Sequence, residues 1–399
     1  MARGRRPLGP ARTGRALVLT AMLAAAPLAG PCKPTSFAPR VAGLAAQVPP
    51  TGPAVQTRDG RALYLAACAG CHGGDGTGTE QALLAFEEEP PDFSDCSFAS
   101  REPAADWVIV AHQGGPVRAF SEMMPAFGEA LEMEQLESVV DYIQTLCSDR
   151  SWPRGELNLP RALVTEKAFP EDEWVLENEA SVEGPASLLH TLVYEKRFGS
   201  RTQLELALPF GYRKVDAAGG GERSWAAGVG DVAVGLKHAL LHGVSDGGGH
   251  ILSVVGEVKL PTGDEPDGFG SGSTALEGFL SFGQILPSDA FLQLQAGAER
   301  STAGGGAETE LFWNGVLGRS FAQGTWGRTW SPMLEVLGRR EGDEGTSWEL
   351  IPQLHVSLST RQHIMLTVGP RIPLHDEGAT TLMLSFLWDW FDGPLTEGW

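Results

Sequence analysis

The chemistry in this chain concentrates in five residues, Cys68-Ala69-Gly70-Cys71-His72. Two thiols two residues apart can each add to a vinyl group on one edge of a porphyrin. The histidine that follows is then directed at the iron as proximal ligand. One covalently bound haem c is therefore the cofactor that this spacing predicts, held by Cys68, Cys71 and His72. Two other readings compete. A thioredoxin-like redox pair wants a βαβ context, and a zinc site wants a second Cys/His pair at suitable spacing; the sequence offers neither.

A sixth iron ligand is expected downstream, and Met123-Met124-Pro125-Ala126-Phe127 lies about fifty residues on. A thioether opposite a histidine raises the potential and suits electron transfer. Met124 is the candidate, because Pro125 fixes the backbone beside it. Alternatively both methionines fill core gaps, the iron is five-coordinate, and ligand binding or peroxidase chemistry opens. In the segment Leu131 to Leu146, Leu136, Val139, Val140 and Ile143 recur at i, i+3, i+4 and i+7, which predicts an amphipathic helix.

With Leu63-Tyr64 on an opening helix, C-A-G-C-H-G-G-D-G-T-G, M-P-A-F and that closing helix, residues 58–148 resemble class I c-type cytochromes. The resemblance implies a small all-α fold around one haem, with His72 and Met124 axial, working as an electron carrier. Cys96 and Cys147 are extra to the pattern and read either as a disulfide or as two buried thiols. Residues 58–150 carry 5 basic and 17 acidic residues. That is either a docking face for a basic partner or only a solvated surface.

After about Trp152 the period changes to two. Leu204, Leu206, Leu208 and Phe210 alternate with Gln203, Glu205, Ala207 and Pro209, and the same pattern recurs around 292–298, 350–358 and 364–372. Twelve such segments are expected, 174–183, 186–197, 201–213, 229–241, 250–262, 274–285, 289–300, 308–320, 330–341, 346–358, 362–373 and 379–391. Short turns such as Gly199-Ser200 and Pro287-Ser288 tend to alternate with longer glycine- and acid-rich loops. Strand length, loop alternation and an even count suit an antiparallel outer-membrane β-barrel, with Trp388, Trp390 and Phe391 as candidates for an aromatic girdle. A soluble β-sandwich is the alternative. The stretches L-E-L-A-L-P-F-G-Y, G-V-G-D-V-A-V-G-L-K and V-K-L-P-T-G are similar to outer-membrane transporter-like barrels associated with aromatic-degradation pathways, which implies a barrel. His238 and His242 are four apart but close a strand, so they are not expected to bind metal. Gly228-Val229-Gly230-Asp231 lacks the following helix that a phosphate cradle needs.

The whole chain has 399 residues, 30 basic and 50 acidic. That balance argues against nucleic acid as a partner. Hydrophobic content of 42% excludes a disordered chain, and five cysteines exclude a disulfide-built scaffold. Arg3, Arg5, Arg6, Arg12 and Arg15 before an apolar run from Ala16 to Ala29 predict a signal peptide over 1–29. Leu28-Ala29-Gly30-Pro31-Cys32 has the outline of a lipidation site, with Pro31 out of place; otherwise Cys32 is an incidental thiol. Residues 30–57 and 149–173 read as linkers, 58–148 as the cytochrome domain, 174–391 as the barrel and 392–399 as a tail.

The architecture is similar to the fused cytochrome–porins of iron-oxidising bacteria, whose haem segment is thought to sit within a larger barrel. Here a domain roughly 30 Å across would not fit a twelve-stranded barrel of about 24 Å backbone diameter. It is expected beneath the barrel, on the periplasmic side where an even-stranded barrel leaves both ends. The expected function is electron transfer at or across the outer membrane, as a carrier rather than a catalytic enzyme. Its expected partners are a redox protein or small redox-active solute, and membrane lipid. The alternatives are a transport pore with a redox-sensing or docking cytochrome domain, and a soluble periplasmic oxidoreductase subunit.

Overall fold

The computed structural model describes residues 57–217, 221–245, 248–302, 309–342, 345–374 and 378–399. The expected signal peptide, Cys32 and nearly all of the first linker lie outside the described residues.

Five helices make the N-terminal domain: α1 Gly60–Ala67, α2 Ala69–His72, α3 Cys96–Ala99, α4 Ala104–Gln113 and α5 Met133–Leu146. Asp59 caps α1 by accepting from the amides of Arg61 and Ala62, and a capping box between Glu132 and Gln135 opens α5. The four residues at helical spacing on α5, Leu136, Val139, Val140 and Ile143, are all buried, against Leu63 and Tyr64 of α1. Position 60 must be glycine, because a Cβ there would overlap the Ser138 carbonyl where α1 crosses α5. Cys96 and Cys147 form a disulfide with Cα atoms 5.0 Å apart, which ties α3 to the end of α5.

Fourteen strand segments follow: β1 Glu173–Ser181, β2 Ser187–Phe198, β3 Thr202–Ala217, β4 Gly221–Val229, β5 Ala233–Ser245, β6 Gly248–Lys259, β7 Ala275–Ile285, β8 Ala290–Ser301, β9 Thr309–Arg319, β10 Phe321–Ala322, β11 Thr329–Glu341, β12 Ser347–Ser357, β13 Ile364–Pro373 and β14 Thr381–Asp389. They build twelve staves. β4 and β5 are one stave, pairing successively with the far and near halves of β3 across a break at 230–232. β10 is a two-residue flap on β11. β1 pairs with β14, so the antiparallel sheet closes, with Glu173 opposite Asp389 at one end.

The polarity of the wall decides between barrel and sandwich. Outward residues such as Leu206, Leu236, Leu280, Leu317 and Leu334 are 41–56% exposed, whereas Gln203, Lys237, Ser281, Asn314 and Glu335 face inward and are buried. A water-soluble sandwich has the opposite arrangement, and an apolar belt of this extent belongs in lipid. Aromatic residues bound the belt. Trp174 and Tyr194 meet at a tilt, 4.6 Å apart, and Trp390 stacks 6.2 Å from Tyr194 at the end nearest the helices. At the other end Trp313 and Trp348 meet edge to face over Gly338. Trp330 and Gly338 are eight residues apart on one strand, which separates the two rings by about 21 Å.

Phe391 departs from the girdle expected of it. It lies under the Arg101 guanidinium, 3.4 Å from its centroid, in the joint between the domains.

The segment read as a linker over 149–173 departs further. Residues 155–172 run into the lumen from the helical end and return, packed against the inner wall. The Leu163 amide donates to Gln353 at 2.9 Å, and the Thr165 amide and hydroxyl both donate to Glu335. Ser253 donates to the Ala168 carbonyl and the Glu171 amide to Gln203. Leu157, Phe169 and Ala168 pack on Ala239 and Ile251. Buried polar side chains on an inward face need hydrogen-bond partners, and this strap supplies them.

Charges order the rest of the lumen. Arg161 of the strap sits 2.8 Å from Glu173 and 2.7 Å from Glu195, and Lys237 sits 2.7 Å from Glu166. One cross-strand row carries Glu195, Glu205, Gly235, Glu257, Glu277, Glu299, Glu310 and Glu341 on successive staves. It starts near the helical end of β2 and finishes at the far end of β11, because a row perpendicular to tilted strands climbs the barrel.

The lipid-facing assignment predicts that Leu280→Arg costs about 2–4 kcal/mol in a bilayer. Urea unfolding of the protein in lipid vesicles measures this. An unchanged midpoint contradicts the assignment, since the same substitution on a water-facing strand would cost next to nothing.

Candidate functional site

The attachment motif is wound into one turn. The amides of Cys71 and His72 both donate to the Cys68 carbonyl, at 3.2 and 3.0 Å, so the two sulfurs and the imidazole start from a single short arc of backbone. Gly73 then turns the chain at φ +75, which a side chain would strain. Tyr64 locks this exit: its hydroxyl donates to the carbonyls of Gly73 at 2.8 Å and His72 at 3.2 Å. Burial pushes the Tyr64 phenol up to about 12, so it remains a donor across the physiological range. Thr79 returns along the turn, its amide donating to the Cys71 carbonyl and its hydroxyl to that of Gly70.

Burial lowers the His72 pKa and keeps its imidazole neutral, the form that ligates iron. Its ring stacks on Phe93 at 4.7 Å, and its Nδ1 is buried with no hydrogen-bond partner among the described residues. Phe93 touches Trp107 of α4 at 5.4 Å. Burial, and then the neighbouring Cys71, push the Cys68 thiol up to about 11. That is the reverse of the lowered thiol pKa that drives thioredoxin-like exchange, and it removes support from the redox-pair reading. No cluster of three or more metal-ligating side chains is found among the described residues, so a zinc site has no second half.

Met124 sits on a loop fastened to the end of α4. The Gly115 amide donates to the Met124 carbonyl at 3.0 Å, and the amides of Phe127 and Gly128 donate to Ala111 and His112 at 3.0 Å each. A Cβ on Gly115 would overlap the Ser121 carbonyl and crowd Met124, so the loop needs glycine there. Met123 is 49% exposed while Met124 is half-buried, which supports the choice of Met124. Phe127, three residues on, packs against the same core as Cys68. The motif and the methionine loop therefore belong to one hydrophobic core.

Two free thiols, a neutral imidazole with an unpaired nitrogen and a half-buried thioether around that core form a donor set that fits a haem. Phe93 and Trp107 were not foreseen. They lie 21 and 35 residues from His72 with no local motif, and only the tertiary fold brings them to it. His238 pairs with Thr202 and His242 with the Ser151 carbonyl, so the two histidines serve the strand and the joint separately. Asp231 holds the loop after β6 by accepting from the amides of Gly263 and Ser271.

Residues 55–143 match the family model described as cytochrome c oxidase, cbb3-type, subunit III. The helical domain is a cytochrome domain. No curated protein matches the chain. Among solved structures, the chain is similar to an outer membrane channel from Pseudomonas putida F1, with 13% identity and a TM-score of 0.40 over 55% of this chain and 96% of that one. It is also similar to the NanC porin, at 8% and 0.37 over 54% and 98%. For the KdgM porin in complex with disordered oligogalacturonate the values are 10% and 0.35 over 55% and 99%. At these values nothing functional follows from the likeness.

The cytochrome domain is clamped to the helical end of the barrel. Arg101 reaches Asp172 at 2.6 Å, and Asp172 also accepts from Lys196 and from the Arg197 amide. Arg118 pairs with Asp106 at 2.9 Å and donates to the Trp326 carbonyl, while Arg361 donates to the Ala119 carbonyl. These contacts hold the loop before Met124 against the barrel.

A neutral buried imidazole has a signature in the haem-free protein. Because the folded pKa of His72 lies below its unfolded value near 6.5, its contribution to stability is present above that value and is lost as pH falls. In the Cys68→Ala/Cys71→Ala background, stability should fall between about pH 7 and 5 more steeply than in the same background carrying His72→Gln. Urea midpoints at several pH values check this; parallel slopes contradict it.

Proposed function

We propose that the protein is an outer-membrane electron carrier that holds one haem c through Cys68 and Cys71, with His72 and Met124 as axial ligands. The observation that carries the reading is the donor set itself. Two unpaired thiols share one helical turn with a neutral imidazole, while the other two described cysteines are joined to each other. When bound, a haem supplies a one-electron Fe(III)/Fe(II) couple. The chain's own residues hold the imidazole in its neutral form, fix the turn through Tyr64, and keep the methionine loop in place through Gly115.

The apolar belt and its two aromatic rings support insertion in an outer membrane, and both barrel ends on the cytochrome side support a periplasmic position for that domain. The filled lumen speaks against an open transport pore. It also leaves a single haem on one side of an apolar band about 25 Å tall. Electrons would then be exchanged at that face, with a redox protein or a small redox-active solute. Two of the domain's five basic residues, Arg101 and Arg118, are buried in the joint, whereas most of its carboxylates are exposed. The exposed face is strongly acidic and favours a basic partner by electrostatic steering.

In the purified protein, haem should survive denaturing electrophoresis and be lost in the Cys68→Ala/Cys71→Ala variant. Met124→Ala should convert a low-spin absorption spectrum to high spin and lower the reduction potential, whereas Met123→Ala should change neither. A haem that washes out of the wild-type chain, or a Met124→Ala spectrum identical to wild type, would refute the respective assignment.

A further inference from the structure

The lumen holds two features that electron transfer does not need. One is the row of carboxylates that climbs the wall from Glu195 to Glu341 over seven cross-strand steps, a rise of about 22 Å. Neighbours in such a row stand about 5 Å apart, so like charges repel unless cations lie between them. The wall supplies some: Lys259 reaches Glu277 at 2.7 Å and Glu299 at 2.5 Å, and Arg339 reaches Glu310 at 2.6 Å. Lower down, Lys237 of the wall pairs with Glu166 of the strap rather than with the row. Glu195 is fully buried and its Oε2 has no partner among the described residues, though its Oε1 meets Arg161. Gly235 interrupts the row between Glu205 and Glu257, and a Cβ there would be in ordinary contact with the Glu205 Cβ at 3.4 Å and the Glu257 carboxylate at 3.7 Å. An acidic track of nearly membrane height, broken only at Gly235, is a path on which small cations are concentrated and anions excluded.

The other feature is the strap, which fills this path at the cytochrome end. Its Arg161 pairs with Glu195 of the row, while Lys167 and the wall's Lys237 pair beside it with Glu173 and Glu166. Both feet of the strap are held by the cytochrome domain. At the first, Glu156 accepts from the Ala104 amide at 3.1 Å; at the second, Asp172 accepts from Arg101 at 2.6 Å.

We propose that the barrel lumen is a pathway for small inorganic cations, running along the carboxylate row and closed by the 155–172 strap, whose two feet the docked cytochrome domain holds down. The inference is independent of the haem assignment, since it rests on the lumen and the joint alone.

The test is conductance of the full-length protein in planar bilayers under a KCl gradient, with insertion verified by a heat-dependent gel shift. Wild type should be silent or nearly so. Replacing residues 157–169 by a Gly–Ser sequence of equal length should produce steady channels that prefer potassium over chloride by at least about fivefold. Adding Glu257→Gln, Glu277→Gln and Glu299→Gln should bring that ratio toward one. Arg101→Ala/Glu156→Ala, which leaves residues 157–172 intact, should give intermittent openings with the same cation preference. An inserted strap replacement that stays silent, or conducts without ionic preference, overturns the pathway. Wild-type channels as large as those of the replacement overturn the closure. A silent Arg101→Ala/Glu156→Ala protein overturns the role of the cytochrome domain.

Discussion

Everything in this structure follows from the way the barrel's inner face is satisfied. Putting leucine outward on a period-two strand puts glutamine, glutamate and lysine inward, and buried polar groups without partners cost more than the burial of apolar ones returns. A twelve-stave barrel is too narrow to take a folded domain, yet wide enough to leave its wall polar groups apart. The strap resolves this by inserting its own amides and carbonyls between them: Leu163 to Gln353, Thr165 to Glu335, Ser281 to Glu166 and Gln293 to Pro160. Buried ion pairs of the Arg161 and Lys237 kind give little net stability, but removing either partner leaves a charge stranded. They therefore fix where the strap sits more than they strengthen it.

Because the strap enters and leaves at one end, it also fixes the cytochrome domain. Asp172 is the pivot, receiving Arg101 from one domain and Lys196 from the other immediately before the first strand. The Arg101 guanidinium packs on Phe391 from the last strand's exit, so the beginning and end of the barrel close on the same arginine. Held this way, the domain keeps most of its carboxylates exposed, and its methionine loop lies near the barrel through Arg118 and Arg361.

Much of this was legible in the sequence because the signals are local. The attachment motif, the i, i+3, i+4, i+7 pattern of α5 and the alternation of the segments each depend on residues within one element, and most elements form where the pattern lies; β4 is the exception, outside the twelve segments, and the stretch 229–241 is broken at 230–232. The disulfide is not legible there, because Cys96 and Cys147 are 51 residues apart and pairing is a tertiary fact. The strap was read as a tether for the same reason. Its partners, such as Glu335 and Gln353, are 170 and 190 residues away. Alternate residues from Pro153 to Lys167 are buried in the structure, but they include Gly155, Arg161, Thr165 and Lys167, so no apolar period marks them in the sequence. Phe391 was placed with Trp388 and Trp390 on composition, but it lies beyond β14, where strand alternation no longer sets which way a side chain faces.

The central claim is that a covalent haem and a membrane barrel belong to one folded chain. Haem staining of the detergent-solubilised protein, run unheated and boiled on the same gel, tests it most directly. One haem-stained band that changes mobility on boiling is expected, since closed barrels resist detergent until heated and a covalent haem stays attached. A haem-stained band of unchanged mobility, recovered from a soluble fraction, would contradict it.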